Sequence, residues 1–471
     1  MKKLCSKILM IILSVVLLCQ SSFAISEGVN SRARLDNAQF LTVAEVLDIA
    51  QCQIDGYIST ELETTSDVSP SQAFIGLHDL DGNLFAYIVP LVKAGVGEIG
   101  YIVVGALRDG YATYAIDLNE GSLDTIRTQL NGTLVARQLP EASLSTQGLL
   151  DEETLLEEVN TALPSVETSL VFVPPMSYMV KTETAAETKY YDISSGSAVT
   201  TDITGAVNEN QAAIRDNFSI VRSAENENRI SNILDDTSAT TRAVAATVDV
   251  RLSDEWISDK TFIQIDDPKK SRIAYGGDQD WYTDAAKKNN GCAPTAAANI
   301  TYYLSTHKTG FGNLYTGSDL SLTEFVKHME TMYDAINPPV YGKISAELWA
   351  SNIVVYSSSV LPSGYSLLWD SISTTSIFNS EARQKELCVD FILAGLNSNC
   401  PVGALNLAYN IPNFDYNWHW ITITKYFSNP NGTWIGASTW GERKSIDFTV
   451  YYHYAYANAG GFVNFTAVSI P

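Results

Sequence analysis

Residues 289–305 read NNGCAPTAAANITYYLS. The Ala-rich run from Ala293 onward has high helix propensity, and Pro294 falls in the first turn, where a missing N–H costs nothing. The pattern predicts a helix that begins beside Cys292. Unsatisfied N–H groups and the dipole at a helix N-terminus favour a thiolate, and Gly291 allows close backbone approach just before it. One reading is a nucleophilic cysteine. The other is a small apolar residue that starts a buried helix.

A thiolate nucleophile needs an acid/base partner, usually His, and the chain has five. His78 stands beside an acidic hairpin and His307 follows the Cys292 helix. His328 lies on a helix opened by the capping box Ser321-x-x-Glu324, and His453 sits in a Tyr-rich run. His419 stands apart, because it opens the alternating strand HWITITKYF after the loop NIPNFDYNW. A second strand, TWIGASTW, follows across the turn Asn429-Pro430-Asn431-Gly432. A His at the start of a central strand can project toward a helix N-terminus. A structural His on a wet strand edge is the competing reading.

Taken together, these segments resemble the C39-like branch of papain-like cysteine peptidases. That family has a G-C-G-P-T-like turn opening a helix, then an H-x-V-x-V-x-G-Y-like strand, then a strand ending in an Asp/Asn-Pro-Trp-Gly-like motif. Here the segments read Gly291-Cys292-Ala293-Pro294-Thr295, then His419 to Tyr426, then Ser438-Thr439-Trp440-Gly441. The helix-like stretch SEARQKELCVDFILAGLNSNC and the Pro401-Val402 strand after it also resemble the family. The likeness covers roughly residues 250 to 471. It implies Cys292 as nucleophile and His419 as general base. It also implies Gln279, in GGDQDWYTD, as an oxyanion donor beside the Cys292 N–H. Where the family has Asn or Asp, this chain has Ser438 and Thr439. A hydroxyl can accept from a His ring N–H but carries no charge, so Ser438 is the first candidate for the third position and Thr439 the alternative.

The rest of the chain is arranged around this segment. Lys2, Lys3 and Lys7, the apolar run from Ile8 to Leu18 and Ser22-Phe23-Ala24 read as a signal peptide over 1–24, with cleavage after Ala24 and secretion to follow. Residues 25–204 read as an α+β pro-like domain. It opens with a helix over 41–61 and continues with hairpins turned at Asp81-Gly82 and Asp109-Gly110. Helices are expected over 123–130 and 152–162, and a strand pair over SYMVKT and KYYDISSG. The acidic Asp79-x-Asp81-Gly82-Asn83 lacks the later ligands of a calcium loop and reads as a turn. Its helix followed by paired strands faintly resembles the propeptides of streptopain-like secreted peptidases, which implies a zymogen with the leader over the cleft. Residues 205–248 are polar and read as a linker with Arg242 open to trypsin-like cutting. Residues 249–471 hold all eight Trp and read as a separately packed second domain. The expected fold is α+β, a papain-like catalytic domain with the Cys-bearing helix packed on an antiparallel sheet.

The chain's 30 basic and 53 acidic residues give a net charge of −23. Residues 25–245 hold 12 basic and 32 acidic residues, a net of −20, against 15 and 21, a net of −6, in 246–471. That balance argues against nucleic acid and anionic membrane surfaces as partners. The partner the resemblance implies is a protein or peptide substrate, and no oligomeric state is indicated. After signal cleavage Cys52, Cys292, Cys388 and Cys400 remain, too few for a disulfide scaffold and without a C-x-x-C pair. Buried free thiols are expected for Cys388 and Cys400. No phosphate loop, metal cluster or dinucleotide motif is present, so no cofactor is expected. Three functions stay open: a secreted cysteine peptidase made as a zymogen, a Cys–His amidase acting on cell-wall peptides, and a non-catalytic extracellular binding protein on the same fold.

Overall fold

The computed structural model describes residues 40–469, except 63, 109, 120, 129, 131–166, 175–176, 194–201, 225–229, 231–246, 256–261, 340–343, 408–415 and 417. The expected signal peptide and the helix expected over 152–162 lie outside the described residues.

The N-terminal half opens with α1 (Val43–Asp55), capped reciprocally by Thr42 and Glu45. Val46, Ile49, Ala50 and Ile54 bury one face of it. Strands β1 (Val68–Pro70), β2 (Ile75–His78), β3 (Leu84–Lys93), β4 (Gly97–Gly105) and β5 (Thr113–Asp117) follow. Between β2 and β3, Asp79 Oδ1 accepts from the N–H groups of Asp81 and Asn83, so the acidic loop is a hairpin turn. Strands β6 (Glu167–Val173), β7 (Ser177–Glu183) and β8 (Thr188–Asp192) form a meander. Part of the expected linker is instead a helix, α2 (Thr204–Ala224). Val207, Ile214, Phe218 and Val221 fall on one face and are buried. The polar residues between them dominate the composition without removing the apolar stripe.

The C-terminal half begins with β9 (Val248–Arg251), β10 (Gln264–Asp267) and β11 (Arg272–Tyr275). Helices α3 (Ala285–Asn290), α4 (Cys292–His307), α5 (Leu322–Ile336) and α6 (Ala346–Val360) precede β12 (Tyr365–Ser373) and α7 (Glu381–Asn397). Then come β13 (Val402–Asn406), β14 (His419–Asn429), β15 (Gly432–Thr439), β16 (Glu442–Asp447), α8 (Phe448–Ala457) and β17 (Gly461–Ser469). The molecule is thus mixed α+β, with α4 packed on β14 and its neighbours.

One large sheet runs through both halves in the order β12–β17–β13–β14–β15–β16–β5–β4–β3–β2–β6–β7–β8, with β1 added on β3 and β9 on β14. The halves join where Ser445 of β16 pairs with Ile116 of β5. Residues on both sides of the expected domain boundary thus contribute strands to one sheet. One apolar cluster also takes residues from both sides, with Phe427 and Trp434 among Val46, Ile54, Tyr57 and Ile102. Among the described residues no helix is long and apolar enough to cross a membrane, and no group of three acidic, His or Cys side chains is placed to hold a metal.

Candidate active site

Cys292 is the first residue of α4 and is buried. Gly291 before it is required by packing: a Cβ there would stand 2.5 Å from both the Lys287 carbonyl and the Tyr282 ring. The first turn is anchored from α6, where Trp349 Nε1 donates to the Ala293 carbonyl at 2.9 Å and the Trp349 indole stacks on Trp420 at 4.2 Å. Trp420 follows His419 on β14, so one indole ties the start of the helix to the start of the strand.

The environment of the thiol differs from the sequence expectation. Burial pushes Cys292 up, against the lowering effect of the Trp420, Ala293 and Cys292 N–H groups. Desolvation outweighs the helix terminus here, and the resting sulfur is a neutral thiol that donates to the Trp418 carbonyl at 3.8 Å. His419 is buried as well, which pushes it down to about 3. The pair at neutral pH is therefore thiol and neutral imidazole. No hydrogen bond of the described residues joins Sγ to the ring; instead the two side chains line one cavity, together with Gln279, Ser438, Thr439 and Trp440. The cavity holds about 210 Å³ of empty space, part of it open to solvent.

The two candidates for the third position do different things. Thr439 Oγ1 lies 2.7 Å from His419 Nε2. Ser438 Oγ instead donates to the Tyr275 carbonyl at 2.7 Å and accepts from Asn299 Nδ2 at 3.1 Å. The hydroxyl that meets the imidazole is thus that of Thr439, and Ser438 belongs to the support of the Gln279 segment. Trp440 lies flat on the His419 ring, with centroids 4.3 Å apart and planes at 9°. Trp440 and Gly441 form the two-residue turn between β15 and β16, with φ of 50° and 68°. A turn of this kind favours positive φ at both positions, where Asn or Gly is usual. Trp in the left-handed region costs free energy, and the indole's stacking on His419 is what occupies the place.

Gln279 begins a short 3₁₀ turn capped by Asp278. Three contacts fix that turn against the site. Asn299 Oδ1, from the face of α4 that carries Cys292, accepts from Gly277 N–H at 2.8 Å. Gly441 N–H donates to the Gly277 carbonyl at 3.0 Å. Arg272 bridges the buried Asp278 carboxylate at 3.0 Å and the Trp440 carbonyl at 2.8 Å. The loop of Gln279, the helix of Cys292 and the turn of Trp440 are therefore one hydrogen-bonded unit. Asn299 and Arg272 had no signal in the sequence beyond their polarity; the i+7 spacing from Cys292 to Asn299 is the one hint.

The other candidates are used elsewhere. His328 lies between Thr301 Oγ1 at 2.8 Å and Thr316 Oγ1 at 3.2 Å. His307 pairs with Asp254 and His453 with Glu381, while His78 meets the Leu170 carbonyl. Among the described residues, Cys52, Cys388 and Cys400 form no disulfide. Compared with protein-family models and with curated proteins, the chain matches none.

Proposed function

We propose that the protein is a cysteine peptidase of the papain-like kind, secreted as the N-terminal segment suggests. The observation that carries the reading is the convergence of Cys292, His419 and Gln279 on one cavity, with Thr439 Oγ1 2.7 Å from His419 Nε2. With Nε2–H donating to Thr439, the lone pair of Nδ1 is left for the thiol. His419 takes the Cys292 proton as Sγ adds to the substrate carbonyl. The oxyanion that forms is met by the Cys292 N–H and the Gln279 amide, each donor of this kind being worth about 3 kcal/mol. His419 then gives its proton to the departing amine, and water hydrolyses the thioester with the same ring acting as base. The Thr439 hydroxyl orients the ring without adding charge, so the site works as a dyad with a neutral third member.

A leader lying over the cleft would place N-terminal residues at this cavity. The described N-terminal residues do not line it, however; the residues around it run from Gln279 to Trp440. The buried thiol and the absence of a Cys292–His419 hydrogen bond among the described residues favour a second reading, a binding protein with a vestigial site. Casein and purified peptidoglycan, each incubated with the wild type and with Cys292→Ala, separate the possibilities. Cys292-dependent cleavage of casein supports the peptidase. Cleavage of peptidoglycan alone makes the protein a wall amidase, and no Cys292-dependent cleavage of either leaves the binding protein.

A further inference from the structure

The junction between the halves carries a buried charge cluster that the site does not use. Glu61, from the N-terminal half, accepts two hydrogen bonds from Arg443 Nη2, at 3.0 and 2.9 Å, and also pairs with Lys425 Nζ. Lys425 Nζ also donates to Thr60 Oγ1 at 2.7 Å and lies 3.9 Å from Asp249 Oδ1. Arg443 is completed by Glu255 at 2.8 Å. The side chains of Glu61, Lys425, Arg443 and Glu255 are 1%, 0%, 6% and 0% exposed. Two carboxylates and two cations balance, but only while Glu61 is present.

Around the charges the fit is apolar and polar at once. Tyr57 stacks on Trp434 at 5.4 Å, meets Phe427 edge-on at 5.3 Å and sits under Lys425 Nζ at 4.9 Å. Its hydroxyl is 2.8 Å from Ser445 Oγ. Gln53 donates to the Asn431 carbonyl at 2.9 Å, and Arg251 to the Thr60 carbonyl at 2.9 Å. Removing the N-terminal half would leave a buried lysine without its main carboxylate and open an aromatic slot to water. An unpaired buried charge is among the costliest defects a protein can carry.

We propose that the N-terminal half is a permanent partner and not a leaving segment. A cut within residues 231–246 yields a two-chain protein held by the Glu61 cluster, with no free C-terminal domain. The inference is independent of whether Cys292 is catalytic. Lys425 and Phe427 lie toward the end of β14 away from His419, while Arg443 stands opposite Ser438, which lines the cavity.

The test uses the full chain with a protease recognition sequence placed between Asp236 and Arg242. After cutting, gel filtration at falling concentration, with far-UV circular dichroism of the peaks, follows the two fragments. The expected result is a 1:1 complex with an unchanged spectrum. Glu61→Gln, of the same shape but without charge, should weaken the association at least tenfold, and Glu45→Gln, whose ion pair with Arg108 lies within the N-terminal half, should leave it unchanged. A C-terminal fragment that elutes alone and folded overturns the proposal, as does equal dissociation of the Glu61→Gln and wild-type cut proteins.

Discussion

His328 and His419 are both buried, and burial pushes both down to about 3. By residue type, burial and protonation they are alike. His328, on α5 and facing α4, has a threonine hydroxyl at each ring nitrogen. His419 has one, at Nε2, and shares its cavity with Cys292. The cysteines divide in the same way. Cys388 and Cys400 lie against the carbonyls of Ser373 and Pro401, and burial pushes them up to about 12 and about 11. All three have groups that pull against that rise: the Tyr452 hydroxyl at Cys388, the Phe465 N–H and Lys308 at Cys400, and three N–H groups at Cys292; Cys292 differs in starting a helix and in sharing a cavity with a His. A perturbed pKa therefore does not mark the site in this molecule. On the proposed reading, what sets the candidate site apart is a His ring that shares its cavity with a thiol at a helix N-terminus and, among the described residues, has a hydrogen-bond partner at Nε2 alone.

The sharpest way to break this contrast is to remove each member in turn. Cys292→Ala should abolish turnover of a peptide substrate, while Cys388→Ala and Cys400→Ala keep it. His419→Ala should cost about a thousandfold in kcat/KM, in the range of a lost general base. His328→Ala should leave kcat/KM within about threefold while lowering stability by about 2–4 kcal/mol in urea unfolding, because it opens a cavity beside two buried hydroxyls. Equal activity losses at the two histidines would erase the distinction.

Smaller effects sharpen it. Thr439→Val should cost about tenfold in kcat/KM, the worth of one neutral hydrogen bond, about 1.4 kcal/mol. Ser438→Ala should act more weakly on turnover and more on stability, since its hydroxyl serves Tyr275 and Asn299. A larger kinetic loss at Ser438 than at Thr439 would reverse their assigned roles.

The pH dependence of stability gives the smallest signal. Burial pushes both histidines down from the ordinary value of 6.5 to about 3 in the folded chain. The unfolded chain binds the protons first as pH falls, so their stabilising contribution is full above about pH 6.5 and is lost progressively toward pH 3. His328→Gln should make that slope shallower in urea unfolding over this range. An unchanged slope would show that His328 is not held neutral.

Local signals made much of the C-terminal half legible. Pro294 in a first turn announced α4, the alternation after His419 announced β14, and Ser321 with Glu324 announced α5. The choice between Ser438 and Thr439 was not legible, because it depends on how the Trp440–Gly441 turn sets the end of β15. Helix α2 was hidden by its polar residues. The Glu61–Arg443 pair joins positions 382 residues apart, a separation at which neither periodicity nor spacing speaks. The state of the Cys292 thiol is hidden for a related reason: a helix N-terminus is visible in sequence, but the desolvation that acts against it is not.

The central claim is that Cys292 and His419 act on each other. The most direct measurement is labelling with a thiol-reactive peptide analogue, with the modified residue mapped by mass spectrometry in the wild type and in His419→Ala. The account predicts modification at Cys292, slowed at least a hundredfold by His419→Ala, with Cys52, Cys388 and Cys400 unlabelled. No label at Cys292, or the same rate of labelling in both proteins, would contradict it.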